Sequence, residues 1–356
     1  MDFNQYQSPF SWRYGSQDMR YIWSETNKRI LWRRIWYALA KVQMDYGIVR
    51  QEQLADIENH LDQLNIERSL EIESEIHHDL MAELKAFAEQ CPIGGGVLHM
   101  GATSMDIEDN ADAIRQREAL QIILKKLSVL LETLCDKIEM WADTPVMAFT
   151  HLQPAEPTTL GYRFAVYAQD LFVDWKNLNR LLPGMKGKGF KGAVGTAASY
   201  ADLIGFDQLG AFEEKLSNIL DLPFFLATTQ TYPRKQDYEI LSALAGMGLT
   251  LYKIAFDVRL LQSPPLGEWG EPFGEKQVGS SAMPFKRNPI QSEKLDSLAR
   301  SLAGMPQLAW HNAAHSLLER TLDDSANRRS LLPEGFLIAD EILMTANKIL
   351  RGLRLN

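Results

Sequence analysis

The chain has 356 residues, 46% hydrophobic and 23% charged, a balance that excludes a disordered or collagen-like polymer. Its formal charge of −9 argues against a dedicated nucleic-acid binder, while leaving room for a local basic site for a small anion. Two cysteines, Cys91 and Cys135, are too few for a disulfide scaffold or a four-cysteine zinc site and fit reduced thiols in the cytoplasm.

The first residues, MDFNQYQSPFSWRYGSQDM, lack a basic region followed by an apolar run, so no secretory signal is predicted. Residues 26–46 place Ile30, Ile35, Leu39 and Val42 on one helical face, with Gly47 as the C′ residue. Residues 106–141 contain no Gly or Pro, and Ile114, Leu120, Leu124, Leu127, Leu131, Leu134 and Ile138 predict one long helix of roughly 50 Å. Further long helices are predicted at 157–182, 237–262, 289–318 and 333–353, with Pro157, Pro289 and Pro333 at their starts. The most apolar stretch, 240–261, carries Lys253, Asp257 and Arg259 and is not expected to span a membrane. Alternating strand patterns are nearly absent, so the fold class is all-α, a long-helix bundle. A helix of this length needs partners along its whole stripe, which predicts an oligomer.

Four Gly/Pro-rich segments interrupt the helices, at 91–101, 144–161, 183–199 and 263–289. The last is 27 residues long, and loops of that length inside compact domains are usually functional. It ends in GSSAMPFKRNP, where Ser280, Lys286 and Asn288 lie just before a predicted helix. Backbone N–H groups, a helix N-terminus and Lys286 all favour an anion there, and the same field would ease ionisation of a serine. Serines that merely cap the next helix would also look like this. His151, in THLQP, could transfer protons near neutral pH or serve packing alone. No set of His, Cys and carboxylates has metal spacing, and Gly187-Lys188-Gly189 lacks the strand that a dinucleotide loop requires, so neither metal nor cofactor is expected. The run ERTLDDSANRR concentrates arginines suited to phosphate or carboxylate, or to ion pairs with Asp323 and Asp324.

Taken together, GSSAMPFKRNP, THLQPAEPTT and HMGATS resemble the signature blocks of the fumarase/aspartase superfamily, over residues 13 to 353. HHD, HMGATS, QTYPRK and ERTLDDSANRR resemble its adenylosuccinate lyase family in particular. The resemblance implies an N-terminal helical domain at 1–105 and a central long-helix bundle at 106–356. The family's third, C-terminal domain has no counterpart before Asn356. It further implies a homotetramer with a twenty-helix core, active sites shared between subunits, and a small nucleotide substrate, with neither nucleic acid nor membrane as partner. The implied reaction is β-elimination of fumarate from adenylosuccinate, giving AMP, and from the succinyl-carboxamide ribotide SAICAR, giving AICAR.

By the same resemblance Ser280 is the general base and His151 the general acid, with Lys286 and Asn288 stabilising developing charge. Arg13 and Tyr14 match phosphate contacts, with Arg320, Ser325 and Arg329 opposite. His77, His78 and Asp79 match a substrate-binding turn, and Thr103 and Ser104 match hydroxyls holding a succinyl carboxylate. His99, Gln230, Glu293 and Lys294 complete the binding set. Lys294 stands where animal-type members carry Arg, which keeps the charge but loses the fork. A sister activity such as argininosuccinate cleavage, or a crystallin-like member without activity, are the competing readings. The arginine-rich block favours a phosphate-bearing substrate.

Overall fold

The computed structural model describes residues 4–283 and 285–356. Helices α1 (Gln17–Ile22), α2 (Glu25–Asp45), α3 (Gln51–Asn59), α4 (Ile66–Ile76) and α5 (Asp79–Gln90) lead into α6 (Ser104–Met140). After a hairpin of β1 (Pro145–Thr150) and β2 (Gln153–Thr159) come α7 (Leu160–Leu181), α8 (Ala198–Ile204), α9 (Leu209–Leu220) and α10 (Lys235–Leu261). Then follow β3 (Trp269–Gly270), α11 (Ile290–Ala314), α12 (Ser325–Arg351) and β4 (Arg354–Leu355), which pairs with β3.

The predicted long helix is present. α6 runs 37 residues, about 55 Å at 1.5 Å per residue. It contributes to two apolar cores. Its C-terminal half, with Leu120, Ile123, Leu127 and Leu134, packs with α7, α10, α11 and α12 around Phe164, Leu244, Leu302 and Phe336. Its N-terminal half, with Ile107 and Ile114, packs with α2, α3, α5 and α9 around Trp36, Ile57, Phe87 and Phe212. α2 ends at Asp45, and Gly47 takes the expected left-handed conformation at φ +72°. α10 is long and apolar enough to cross a membrane by length and composition. In the fold, Leu244, Met247, Leu251 and Val258 are buried in the bundle core.

Three expected boundaries are corrected. Residues 157–159 belong to β2, and α7 starts at Leu160 with Thr159 Oγ1 accepting from the Tyr162 amide at 3.2 Å. Pro154 and Pro157 are tolerated because each strand of a two-stranded ladder has one unpaired edge. α12 starts eight residues before Pro333, which lies inside it. Burial of Leu331, Leu332 and Phe336 continues the apolar stripe across the proline and outweighs the lost amide hydrogen bond. Pro289 is the N-cap of α11 rather than its first turn, and that helix stops at Ala314.

The start of α6 is fixed by one buried carboxylate. Asp106 accepts from the Thr103 amide at 3.0 Å, the Tyr200 hydroxyl at 3.1 Å and the Lys191 and Gly192 amides at 3.2 Å. It also pairs with the Lys188 ammonium, and both side chains are fully buried. The glycine cluster at 187–192 therefore folds onto α6. Gly189 has φ +79°, and a Cβ there would lie 2.4 Å from the Glu213 carboxylate, so glycine is required for this approach. Removing one partner of a buried pair leaves an uncompensated charge, so Asp106→Ala should cost about 3–5 kcal/mol of stability, measured by urea denaturation. A loss below about 1 kcal/mol would show that Lys188 finds solvent instead.

Candidate active site

The residues singled out in the sequence fall into three groups. The first surrounds the α4–α5 corner. His77 closes α4 with φ +54°, a left-handed conformation uncommon for a non-glycine residue. His78 caps α5, its Nδ1 accepting from the Met81 amide at 3.4 Å, and its Nε2 lies 3.4 Å from Ser104 Oγ. Ser104 opens α6 immediately after Thr103, the N-cap. Asp79 accepts from Arg329 Nη2 at 2.8 Å and from the Leu80 amide at 2.8 Å. Burial raises the Asp79 pKa, but Arg329, the Leu80 amide and Lys28 outweigh it and hold the carboxyl below its ordinary range. Asp79 is therefore engaged by a neighbouring cation. His99 is half-buried nearby, with Nδ1 2.9 Å from Trp36 Nε1.

The start of α12 extends this group. Buried Asp324 accepts from Arg320 Nη1 at 3.0 Å and from Arg234 Nε at 2.7 Å, and Arg234 Nη1 reaches Asp109 at 2.9 Å. Of the three arginines in the run, Arg328 turns inward to Asp237 at 2.8 Å, leaving Arg329 exposed and Arg320 half-buried at the surface. The Gln230 amide donates to the Glu319 carbonyl at 3.1 Å, which puts QTYPRK beside this block. A cavity of about 130 Å³ lies behind Arg329, lined by Lys28, Asp79, Glu108, Arg115, Ser325 and others. Burial, with Asp79, Asp112 and Asp109 close by, pushes the Glu108 carboxyl up to about 8. Arg13 and Tyr14 stand on the N-terminal segment, with the Arg13 guanidinium 6.0 Å from the Tyr14 ring centroid. Glu341 ties this segment to Lys294, accepting from the Gly15 amide at 3.0 Å and from Lys294 Nζ at 2.7 Å.

The second group is the GSSAMPFKRNP loop, of which Pro284 lies outside the described residues. Ser280 Oγ accepts from the Ala282 and Met283 amides at 3.3 and 3.1 Å. Two donors on a hydroxyl oxygen favour its ionised form. Asn288 Nδ2 donates to the Gly279 carbonyl at 3.1 Å and closes the loop. A Cβ on Gly279 would lie 1.9 Å from the Lys286 carbonyl oxygen, so this loop requires glycine there. Lys286 is exposed. The expected role of the α11 N-terminus is corrected: its amides at Gln291 and Ser292 are taken by buried Glu271, at 3.0 and 3.1 Å. An external anion would be left with Lys286, Asn288 and the loop amides. Glu293 is exposed on the first turn of α11.

The third group is the β1–β2 hairpin. Thr150 pairs with Gln153, so His151 and Leu152 form a two-residue loop, with φ +54° and +60°. This turn class prefers Asn-Gly, so a histidine and a leucine there are strained. The His151 imidazole is exposed and has no hydrogen-bond partner among the described residues. Arg163 of α7 anchors the hairpin, donating to the Met147 carbonyl and to Glu268, both at 2.8 Å. Among the described residues no hydrogen bond, ion pair or ring contact joins Ser280, Lys286, Asn288 or His151 to the side chains of the first group; the indirect ties run through Glu341 to Lys294 and through Arg163 to Glu268. Sequence reasoning missed Trp36, Glu108 and Glu271, and it did not foresee the buried pairing of Arg234 with Asp324. Trp36, Glu108 and Glu271 lie outside the quoted blocks, and all five act through tertiary partners as far as 125 residues away.

Residues 11–304 match the lyase family. Adenylosuccinate lyase of Schistosoma mansoni is 41% identical, over 99% of this chain and 74% of that protein. The corresponding enzyme of Saccharomyces cerevisiae is 38% identical over the same shares, and that of Pyrococcus abyssi is 39% identical over 97% and 76%. Among solved structures, fumarate lyase from Mesorhizobium sp. BNC1 superposes with a TM-score of 0.85 at 25% identity, over 99% of this chain and 77% of that one. The 3-carboxy-cis,cis-muconate lactonizing enzyme of Pseudomonas putida gives 0.87 at 25%, over 99% and 78%. Helical bundle, signature loop and relatives agree on a fumarate-lyase-type enzyme. The chain belongs to the lyase family and, within it, to the adenylosuccinate lyases.

Glu108 gives this site a pH signature. Its raised pKa means that the folded protein holds a proton the unfolded chain has released between about 4.5 and 8. Its contribution to stability is full below the unfolded value and is lost as pH rises through that window. Glu108→Gln removes this loss. Its melting temperature should gain on the parent's from pH 5 to 8 and level off above, in paired thermal melts.

Proposed function

We propose that the protein eliminates fumarate from adenylosuccinate, giving AMP, and from SAICAR, giving AICAR, as a homotetramer of the cytoplasm acting in purine nucleotide biosynthesis. The observation that carries this reading is Ser280, under two backbone donors in a GSSAMPFKRNP loop, on a chain of this family. In our reading residues 1–105 form the N-terminal domain and 106–356 the bundle.

The hard step is removal of a proton from a carbon beside a carboxylate. As an alkoxide, Ser280 takes that proton, and the electron pair spreads onto the carboxylate. Lys286 and Asn288 meet the developing charge, the kind of preorganised contact that is usually the largest catalytic term. The carbon–nitrogen bond then breaks, the carbon–carbon double bond of fumarate forms, and His151 delivers a proton to the departing nitrogen. Thr103, Ser104, His77 and His78 hold the succinyl end. Arg13, Tyr14, Arg320, Ser325 and Arg329 hold the phosphate, with Gln230, Glu293 and Lys294 as further contacts. Asp79 serves this site by orienting Arg329.

Assembly from several copies would bring Ser280 and His151, which make no direct contact with each other, to one substrate. The apolar surface of the bundle supports such assembly: Tyr162, Val166, Phe172 and Val173 on α7, Leu249 and Phe256 on α10, and Trp310 on α11 are all exposed. Apolar surface on this scale marks an interaction face. Four copies of the five long helices α6, α7, α10, α11 and α12 make the twenty-helix core.

Incubation with adenylosuccinate should release fumarate and AMP, while argininosuccinate should remain intact. Ser280→Ala and His151→Ala should each lower kcat by about 10²–10⁴-fold with an unchanged circular dichroism spectrum. Mixing the two inactive variants under conditions of subunit exchange should restore part of the activity, because hybrid tetramers contain centres with both groups intact. An inert mixture of exchanged subunits would rule out shared centres.

A further inference from the structure

We propose that Trp36 is a positioning residue that fixes the tautomer of His99, making this imidazole a neutral Nε2–H donor to a carboxylate or phosphate oxygen of the substrate. The proposal rests on the reading above only in placing His99 at the substrate. Its core is the contact between the two rings. Trp36 Nε1 lies 2.9 Å from His99 Nδ1. An indole nitrogen can only donate, so Nδ1 must present its lone pair. A neutral imidazole has one ring proton, which is thereby confined to Nε2.

The contact is held rigidly from both sides. Trp36 is fully buried on α2 and stacks on Phe87, with ring centroids 6.3 Å apart and planes at 30°. The indole meets His99 edge-on, at 79°. Two helical turns further along α2, Gln43 Nε2 donates to the Met100 carbonyl at 2.8 Å. From α8, Ser199 Oγ donates to the Gly101 carbonyl at 2.6 Å. These ties hold His99 at φ +66°, a left-handed conformation uncommon for a non-glycine residue.

The ring also resists becoming a cation. Burial drives the His99 pKa down to about 4; Asp106 opposes this and His78 reinforces it. A ring that stays neutral, with its proton on one known nitrogen, does not compete with His151 for the acid's task. It supplies a fixed hydrogen bond beside the Thr103–Ser104 turn.

The test uses the assembled enzyme labelled with 15N-histidine, with His99 assigned by the signals lost in His99→Gln. The Nε2–H tautomer should be observed, unchanged from pH 6 to 8. In Trp36→Phe the restraint is gone, both tautomers should appear, and the KM for adenylosuccinate should rise about three- to tenfold with a smaller change in kcat. A His99 found as the Nδ1–H tautomer, or titrating as a cation near its ordinary value, overturns the proposal. So does a Trp36→Phe enzyme whose tautomers mix while KM stays put. Should Trp36→Phe not assemble, the parent spectrum still decides the tautomer. His99→Gln, which keeps an N–H near the Nε2 position, should then retain a lower KM than His99→Leu, and equal losses overturn the donor role. A parent enzyme without turnover refutes the proposed function, while the spectra judge the tautomer independently.

Discussion

The Asp106 carboxylate is the constraint on which the rest of the molecule depends. It sits where α6 begins, and it gathers the Thr103 amide, the Tyr200 hydroxyl, two loop amides and the Lys188 ammonium around one buried negative charge. Five donors on a single carboxylate turn an expensive buried ion into a satisfied one. They also define where HMGATS ends and helix begins, and so where Thr103 and Ser104 stand. The glycine-rich loop at 187–192, which could pass for a ligand cradle, is instead the other half of this knot.

From that point the architecture works by extension. α6 continues for 37 residues and carries one apolar stripe into two cores, so the corner holding His78 and the bundle holding α12 share a common spine. Ion pairs then orient the exposed arginines. Asp79 holds Arg329, and Asp324 holds Arg320 while being held by Arg234. Arg329 and Arg320 are thus each backed by a carboxylate that is itself pinned, which reduces the conformational cost of binding.

Much of this was legible in the sequence, for identifiable reasons. Long helices announce themselves through periodicity, and α2, α6 and α10 lie within a residue or two of where their apolar spacing puts them. The motif blocks marked most side chains of the candidate site. The hairpin was invisible because PVMAFTHLQPAEPTT contains three prolines and pairs only with itself. Pro333 read as a helix start because local propensity disfavours it inside one, whereas the buried stripe on both sides decides the matter. Glu271 illustrates the deeper limit. Its capping of α11 joins residues 20 apart through the path of a long loop, and no local pattern encodes that path. Trp36 and His99, 63 residues apart, are the same case.

Arg163 has a mechanical consequence. Its guanidinium grips the hairpin through the Met147 carbonyl and, with its other nitrogen, grips Glu268 at the root of the segment that leads to Ser280. One planar group thus ties the strand ladder to the start of that segment, so the two share an anchor. Losing that guanidinium would loosen both attachments together, because a single side chain makes them.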